Sequence, residues 1–201
     1  DVSTDLTPDE VARRFARVVP TGSRHGTVTI VEGGLVIECT TFRREGAYSD
    51  ARRPDRVEFT ADPVEDLGRR DLTVNALAWD PAAGVLLDPH DGALDLERRM
   101  LRAVGDPLAR FREDALRPLR VARFTATLEM EPDEPLRAAL AALAAPESGD
   151  AGATVAAERV RAELERMLGA RQPSRGFEVL REAGLLAVWL PELARCRGVP
   201  Q

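Results

Sequence analysis

Apolar and polar positions follow one rhythm up to about residue 105 and another beyond it. In the first stretch, short β-branched runs alternate with polar turns. TPDEVARRFARVV, residues 7–19, predicts a helix opened by Thr7, with Pro8 at its first position and acids in its first turn. GTVTIVEGGLVIECTTF, residues 26–42, predicts a hairpin, because two β-branched runs flank a Gly-Gly pair. DRVEFTA, residues 55–61, predicts a third strand, and the polar, aperiodic stretch 43–55 predicts a loop. Residues 62–80 predict a helix, against which the β-branched Thr73 and Val74 count. GVLLDP then predicts a short strand, and DGALDLERRML the start of another helix.

From about Asp106 the periodicity is helical throughout. Phe111, Ala115, Leu119, Ala122 and Ala126 recur at steps of four, four, three and four, an apolar stripe along one predicted helix. PLRAALAALAA predicts a second helix ended by PESGDAGA, and TVAAERVRAELERMLG a third ended at Gly169. PSRGFEVLREAGLLAVWLPEL predicts a fourth, broken near Gly184. The pattern is α+β, with a mixed domain over 1–104 followed by an all-α domain over 105–201.

Composition narrows the chemistry. All 28 basic residues among the 201 are Arg, so neither a Schiff base nor a Walker-type lysine is available. Every cation is a planar fork suited to phosphate or a base edge. The net charge of −6 argues against a nucleic-acid coat over the whole surface, yet Arg102–Arg123 concentrates six Arg against Asp106, Glu113 and Asp114. No apolar run approaches the ~18 residues of a membrane span, and the first residues carry no signal-peptide pattern. Cys39 and Cys196 are expected to be thiols in a reducing cytoplasm. His25 and His90 have no Cys or His partner at zinc-ligand spacing.

Several constellations admit two readings on spacing alone. Asp114, Arg117 and Arg120 stand three residues apart on one flank of the predicted helix. They are either ion pairs on a solvated face or an acceptor edge beside donor edges, the pattern that pairs with a nucleobase. Pro118 is expected to disturb that helix. Arg69, Arg70, Asp71 and Asn75 are either the polar first turn of a helix or a hold on triphosphate and sugar. Glu38, a charge within a strand, is either solvent-facing or, with Asp1, a Mg²⁺ ligand, since hard cations take carboxylate oxygens.

The ordered set TGSRHGTVTI, VIECTTFR, YSDARRPDRVEF, DLGRRDLTVNALAWDP, LLDPHDGALDLERRMLRAVGDPLARFREDALRPLRVARF, AERVRAELERML and GLLAVWLPEL resembles the class II tRNA nucleotidyltransferase family over nearly the whole chain. That family includes CCA-adding enzymes and bacterial poly(A) polymerases. The resemblance implies a polymerase-β-like nucleotidyltransferase head followed by an all-α neck. It implies Asp1 as a catalytic carboxylate and Mg²⁺ ligand, with Glu38 as a supporting catalytic carboxylate. Arg70 and Asp71 match the motif that engages ribose and phosphates, with Asn75 nearby. Asp114 and Arg117 match the pair that reads the incoming base without a nucleic-acid template, and Arg120 and Arg123 match further nucleotide-contacting arginines. Asp95 matches an element assigned as a hinge, and AERVRAELERML a buttressing motif.

The implied reaction is addition of CCA, or of its terminal A, to a tRNA 3′ end from CTP and ATP. Polyadenylation of other RNA 3′ ends is the alternative, and a nucleotide- or RNA-binding piece without chemistry is the alternative of another class. The loop over 43–55 favours A addition. By this resemblance a first metal-binding Asp and a Gly-rich strand precede Asp1, and a body and tail follow Gln201. The stretch as written is therefore expected to be inactive on its own.

Overall fold

The computed structural model describes residues 1–44, 58–144 and 155–196. Contacts divide the chain into two compact units, one of residues 1–70 with 78–89, the other of 71–77 with the chain from His90 onward.

In the first unit, β1 (Val2–Thr4), β2 (Val18–Gly22), β3 (Thr27–Glu32) and β4 (Leu35–Thr41) form a sheet of order β1-β4-β3-β2. β1 runs parallel to β4, while β4–β3 and β3–β2 are antiparallel. The predicted hairpin is present. Gly33 and Gly34 turn it with φ of 55° and 81°, the two-residue geometry that matches strand twist and that residues with a Cβ resist. α1 (Pro8–Arg14) is capped by Thr7, whose backbone N–H donates to Glu10 Oε2 at 2.8 Å in a capping box. The predicted helix over 7–19 ends early, because Phe15 is already extended and the β-branched Val18 and Val19 enter β2.

Alternation along β3 and β4 separates the two faces of this sheet. Val28, Ile30 and Cys39 are buried together with Val11 of α1. The other face carries Thr27, Thr29, Glu38 and Thr40, with hydroxyl pairs Thr21–Thr29 at 3.0 Å and Thr27–Thr40 at 3.1 Å. β5 (Arg43–Arg44) pairs with β6 (Glu58–Phe59), so the loop predicted over 43–55 begins as a strand. The rest of that loop, and Asp55–Val57 of the predicted third strand, lie outside the described residues.

The helix predicted over 62–80 is corrected. α2 (Pro63–Gly68) stops after six residues, a 3₁₀ turn spans Thr73–Asn75, and β7 (Ala78–Asp80) pairs with β8 (Val85–Leu87). The β-branched Thr73 and Val74 that weakened the prediction sit in that turn.

In the second unit, residues 71–73 lie alongside 102–104. The Val104 N–H donates to Asp71 O at 3.2 Å and the Thr73 N–H to Arg102 O at 2.9 Å. α3 (Gly92–Glu97) is followed by Arg99 at φ 53° and by β9 (Met100–Leu101), which pairs in parallel with β10 (Glu131–Pro132). The helices α4 (Pro107–Glu113), α5 (Arg117–Leu128), α6 (Glu134–Leu143), α7 (Ala157–Leu168), α8 (Pro173–Glu182), α9 (Leu186–Trp189) and α10 (Pro191–Arg195) follow. Phe111, Leu119, Ala122 and Ala126 of the predicted stripe are buried with Leu136, Leu140, Met167, Leu180 and Leu185. The break expected near Gly184 is there, at φ 78°. PESGDAGA lies outside the described residues. The architecture is a mixed sheet with flanking helices followed by an all-α region, the fold class the pattern predicted. Among the described residues no helix is long and apolar enough to cross a membrane.

Candidate functional site

The single helix predicted through Arg110–Phe124 is two helices. α4 ends at Glu113, Asp114 is extended at φ −148°, and α5 begins at Arg117. Pro118 is the cause and is also accommodated there. It has no N–H to donate to the Asp114 carbonyl four residues back, and its ring would clash with that carbonyl in a continuous helix, so it fits the first turn of a new helix. The Asp114 carboxylate closes the break, Oδ1 accepting from the Leu116 N–H at 3.0 Å, while the Arg117 N–H donates to Asp114 O at 2.9 Å. Asp114 and Arg117 therefore do not share one helical flank as the spacing predicted. Asp114 stands immediately before the helix that carries Arg117, Arg120 and Arg123.

Nor do the Asp114 and Arg117 side chains pair with each other. Arg159 of α7 donates to Asp114 Oδ2 at 2.7 Å, and Arg117 donates to Glu113 Oε2 at 2.6 Å. Glu113 also pairs with Arg110 at 2.7 Å.

Asp71, Asn75 and Arg120 are brought together. Asp71 Oδ1 accepts from Asn75 Nδ2 at 2.9 Å and from the Leu72 N–H at 2.9 Å, and Oδ2 accepts from Arg120 Nε at 2.7 Å. Burial pushes the Asp71 carboxyl pKa up, but the Arg120 charge and these hydrogen bonds outweigh burial and hold it below the usual carboxylate range. Asp114 lies close enough to Arg120 to favour its charge, together with Asp71 and Glu163. Glu163 of α7, only 3% exposed, sits 3.6 Å from Arg120 and pairs directly with Arg123. The Arg123 guanidinium lies 3.6 Å from the Phe124 ring centre, a cation–π stack.

Glu163 and Arg159 were not singled out by sequence reasoning. A signal existed for Glu163. It falls among Val160, Leu164 and Met167 on the inward stripe of α7, a charge at a core position that requires partners.

Arg70 belongs to the first unit, where Asp66, 2% exposed, gathers two arginines. Oδ2 accepts from Arg70 Nη2 at 2.8 Å, and Oδ1 accepts from Arg69 Nη2 at 2.6 Å and from the Arg43 N–H at 3.1 Å. Burial opposes ionisation of Asp66, yet Arg69 and Arg70 hold its pKa below the ordinary value.

Asp1 and Glu38 are both exposed and are neighbours by register. Val2 pairs in parallel with Cys39, and Asp1 and Glu38 each stand one residue before a member of that pair, Asp1 just ahead of β1 and Glu38 within β4. Among the described residues, no group of three or more His, Cys, Asp or Glu side chains is arranged to hold a metal ion.

A mixed-sheet unit followed by a helical unit that carries an acid–arginine network is the arrangement of a head domain followed by a helical neck. Residues 1–102 match the family described as "Poly A polymerase head domain", and residues 130–196 match "Probable RNA and SrmB- binding site of polymerase A". The chain belongs to this poly(A) polymerase head-domain family. It is 42% identical over 193 residues to a CCA-adding enzyme of Geobacillus sp. strain WCH70, covering 96% of the chain and 46% of that enzyme. It is 43% identical over 185 residues to one of Levilactobacillus brevis, covering 92% and 45%. The crystal structure of the Bacillus stearothermophilus CCA-adding enzyme in complex with CTP superposes with a TM-score of 0.81 at 36% identity, covering 96% of this chain and 45% of that one. The chain thus spans a little under half the length of these relatives.

Proposed function

We propose that the full-length protein is a template-independent nucleotidyltransferase that adds CCA, or its terminal A, to the 3′ end of tRNA from CTP and ATP with Mg²⁺. The observation that carries this reading is the order of charges at the α4–α5 break. There the Asp114 acceptor immediately precedes a helix of donors, Arg117, Arg120 and Arg123, beside the Asp71–Asn75–Arg120 cluster. Similarity along nearly the whole chain to proteins named CCA-adding enzymes, one of them bound to CTP, supports it. In this reading residues 1–104 are the nucleotidyltransferase head and 105–201 the neck and the start of the body, and the protein works in the cytoplasm.

Cytosine and adenine each carry an exocyclic amino group beside a ring-nitrogen acceptor. Uracil and guanine place a carbonyl where that amino group stands. A carboxylate such as Asp114 accepts from the first pair and repels the second, while an arginine donates to the ring acceptor, a discrimination worth ~1–3 kcal/mol for each good contact. Arg70, Asp71 and Asn75 hold triphosphate and ribose, and Arg120 and Arg123 add donors on the nucleotide side. Asp1, just ahead of β1, and Glu38, on the adjoining β4, are the carboxylates that would hold Mg²⁺, a hard cation that takes oxygen ligands. When bound, Mg²⁺ supplies charge neutralisation on the phosphates and activation of the RNA 3′-hydroxyl.

Incubation of the full-length protein with tRNA lacking its CCA end, and with each nucleotide singly and together, tests the reading. The expected products are C, C, then A and a stop. Long A tails on any RNA end would replace it with polyadenylation, and no incorporation at all would leave only nucleotide or RNA binding. A variant with Asp114→Ala and Arg117→Ala is expected to lose C and A selectivity. Unchanged selectivity in that variant would remove the base-reading role.

A further inference from the structure

The two consecutive arginines at the end of α2 are treated differently by the fold. Arg69 is used up internally. Its Nε donates to Asp66 Oδ1 at 2.9 Å and to Arg43 O at 3.1 Å, its Nη2 to the same Oδ1 at 2.6 Å, and its side chain is 16% exposed. Arg70 is tethered through one nitrogen, Nη2, to Asp66 Oδ2 at 2.8 Å, and its side chain is 34% exposed. The Arg70 Nε is buried and finds no acceptor among the described residues. A ligand from solvent therefore meets the exposed part of this guanidinium, not the buried Nε.

We infer that Asp66 is a positioning residue: it withdraws Arg69 and presents Arg70 to the triphosphate of the incoming nucleotide. The inference rests on the reading of Arg70 as a nucleotide ligand. Asp66 is suited to the task because it is nearly inaccessible and fixed on three sides, by Arg69, Arg70 and the β5 backbone N–H of Arg43. An arginine anchored at one nitrogen keeps a defined plane, so its remaining donors meet phosphate oxygens without first losing rotamer freedom. A purely architectural Asp66, joining α2 to β5 through Arg69 and the Arg43 N–H, would not need a second arginine held partly exposed.

A double-mutant cycle in the full-length protein separates these roles. CTP and ATP dissociation constants are measured by equilibrium dialysis with Mg²⁺ for wild type, Asp66→Asn, Arg70→Gln and the double variant. Inorganic tripolyphosphate serves as a competitor that reports the phosphate contact alone. The expected result is about tenfold weaker binding of both nucleotides and of tripolyphosphate in each single variant. The double variant is expected to bind no more than about twofold more weakly than Arg70→Gln. Asp66→Asn weakening binding as much in the Arg70→Gln background as in wild type would overturn the positioning role, as would an unchanged Asp66→Asn. Wild-type affinity in Arg70→Gln would overturn the underlying reading of Arg70 instead, and the inference with it. Where Asp66→Asn does not fold, Asp66→Glu keeps the charge and shifts it by one methylene. Its smaller loss is expected to vanish in the Arg70→Gln background, and persistence there counts against the inference.

Discussion

Asp71 and Arg120, 49 residues apart, are joined by a 2.7 Å hydrogen bond from Arg120 Nε to Asp71 Oδ2. The bond ties the segment that lies against residues 102–104 to the first turns of α5, and so sets the Arg120 guanidinium and the Asn75 amide on the same carboxylate. Asp71→Ala leaves the Arg120 guanidinium partly buried, with Glu163 at 3.6 Å and the Asp114 charge as its remaining counterions. Breaking one partner of such a pair costs about 3 kcal/mol. Urea unfolding of the full-length protein is expected to show that loss. Adding Arg120→Met to Asp71→Ala is expected to cost less than the sum of the two single changes, because the second change removes the charge the first left unpaired.

Acid should destabilise the protein in part through Asp66 and Asp71. Asp66 and Asp71 both have folded pKa values below the ordinary value near 4, because arginine partners outweigh burial. A depressed folded pKa gives stability that is complete above the unfolded pKa and is lost as pH falls from there through the folded value. Urea midpoints measured from pH 7 down to about pH 3 should therefore drop on the acid side. The drop should be shallower with Asp66→Asn and Asp71→Asn together. An equally steep acid limb in that variant would show that other carboxylates set it.

Glu163 should matter far more than its neighbour Glu165. Glu163 is buried and serves Arg120, Arg123 and Arg166, whereas Glu165 pairs with Arg161 at 2.7 Å in the open, with side chains 61% and 79% exposed. Glu163→Ala is expected to cost about 3–5 kcal/mol, since it strands buried cations. Glu165→Ala is expected to cost no more than about 0.5 kcal/mol. The loss at Glu163 should persist in high salt, because buried charges are little screened. Thermal unfolding of the two variants at low and high salt checks both statements.

The helical half of the chain was readable because a 3.6-residue stripe and its breakers survive in any surroundings. Phe111, Leu119, Ala122 and Ala126 are buried, and Gly184 breaks the last helices. The α4–α5 break was legible only in part. Pro118 announced a disturbance, but its placement at a helix start depends on the Asp114 carboxylate capturing the Leu116 N–H. The stretch 62–80 failed for a tertiary reason. After six residues the chain leaves α2, and residues 71–73 find their hydrogen-bond partners at 102–104, which no local window contains. The charges at the candidate site were legible as residue types and not as pairs. Spacing suggested Asp114 with Arg117, whereas the folded partners are Arg159 and Glu113, the first of them 45 residues away.

The buried knot around Asp95 gives the sharpest structural test. Asp95, 1% exposed, accepts from the Thr73 hydroxyl at 2.6 Å and from Arg102 Nε at 3.0 Å, and Arg102 Nη2 also donates to His90 O at 2.7 Å. Gly92 opens α3 directly against the Thr73 backbone. A Cβ there would overlap Thr73 O and lie 2.8 Å from Thr73 C, and backbone cannot rotate aside as a side chain can. Gly92→Ala must therefore push α3 away from the Thr73–Asn75 turn and stretch the Thr73–Asp95 bond. Thr73→Val keeps the shape and removes only the donor, so its cost should be about 1–3 kcal/mol, the penalty of one unmet bond to a buried charge. Thr73→Ser keeps the donor and loses one methyl, so it should cost about 1 kcal/mol. The expected order of destabilisation in thermal unfolding is Gly92→Ala, then Thr73→Val, then Thr73→Ser. A Gly92→Ala variant as stable as wild type would mean that α3 yields freely, and that Asp95 is not held by a rigid seat.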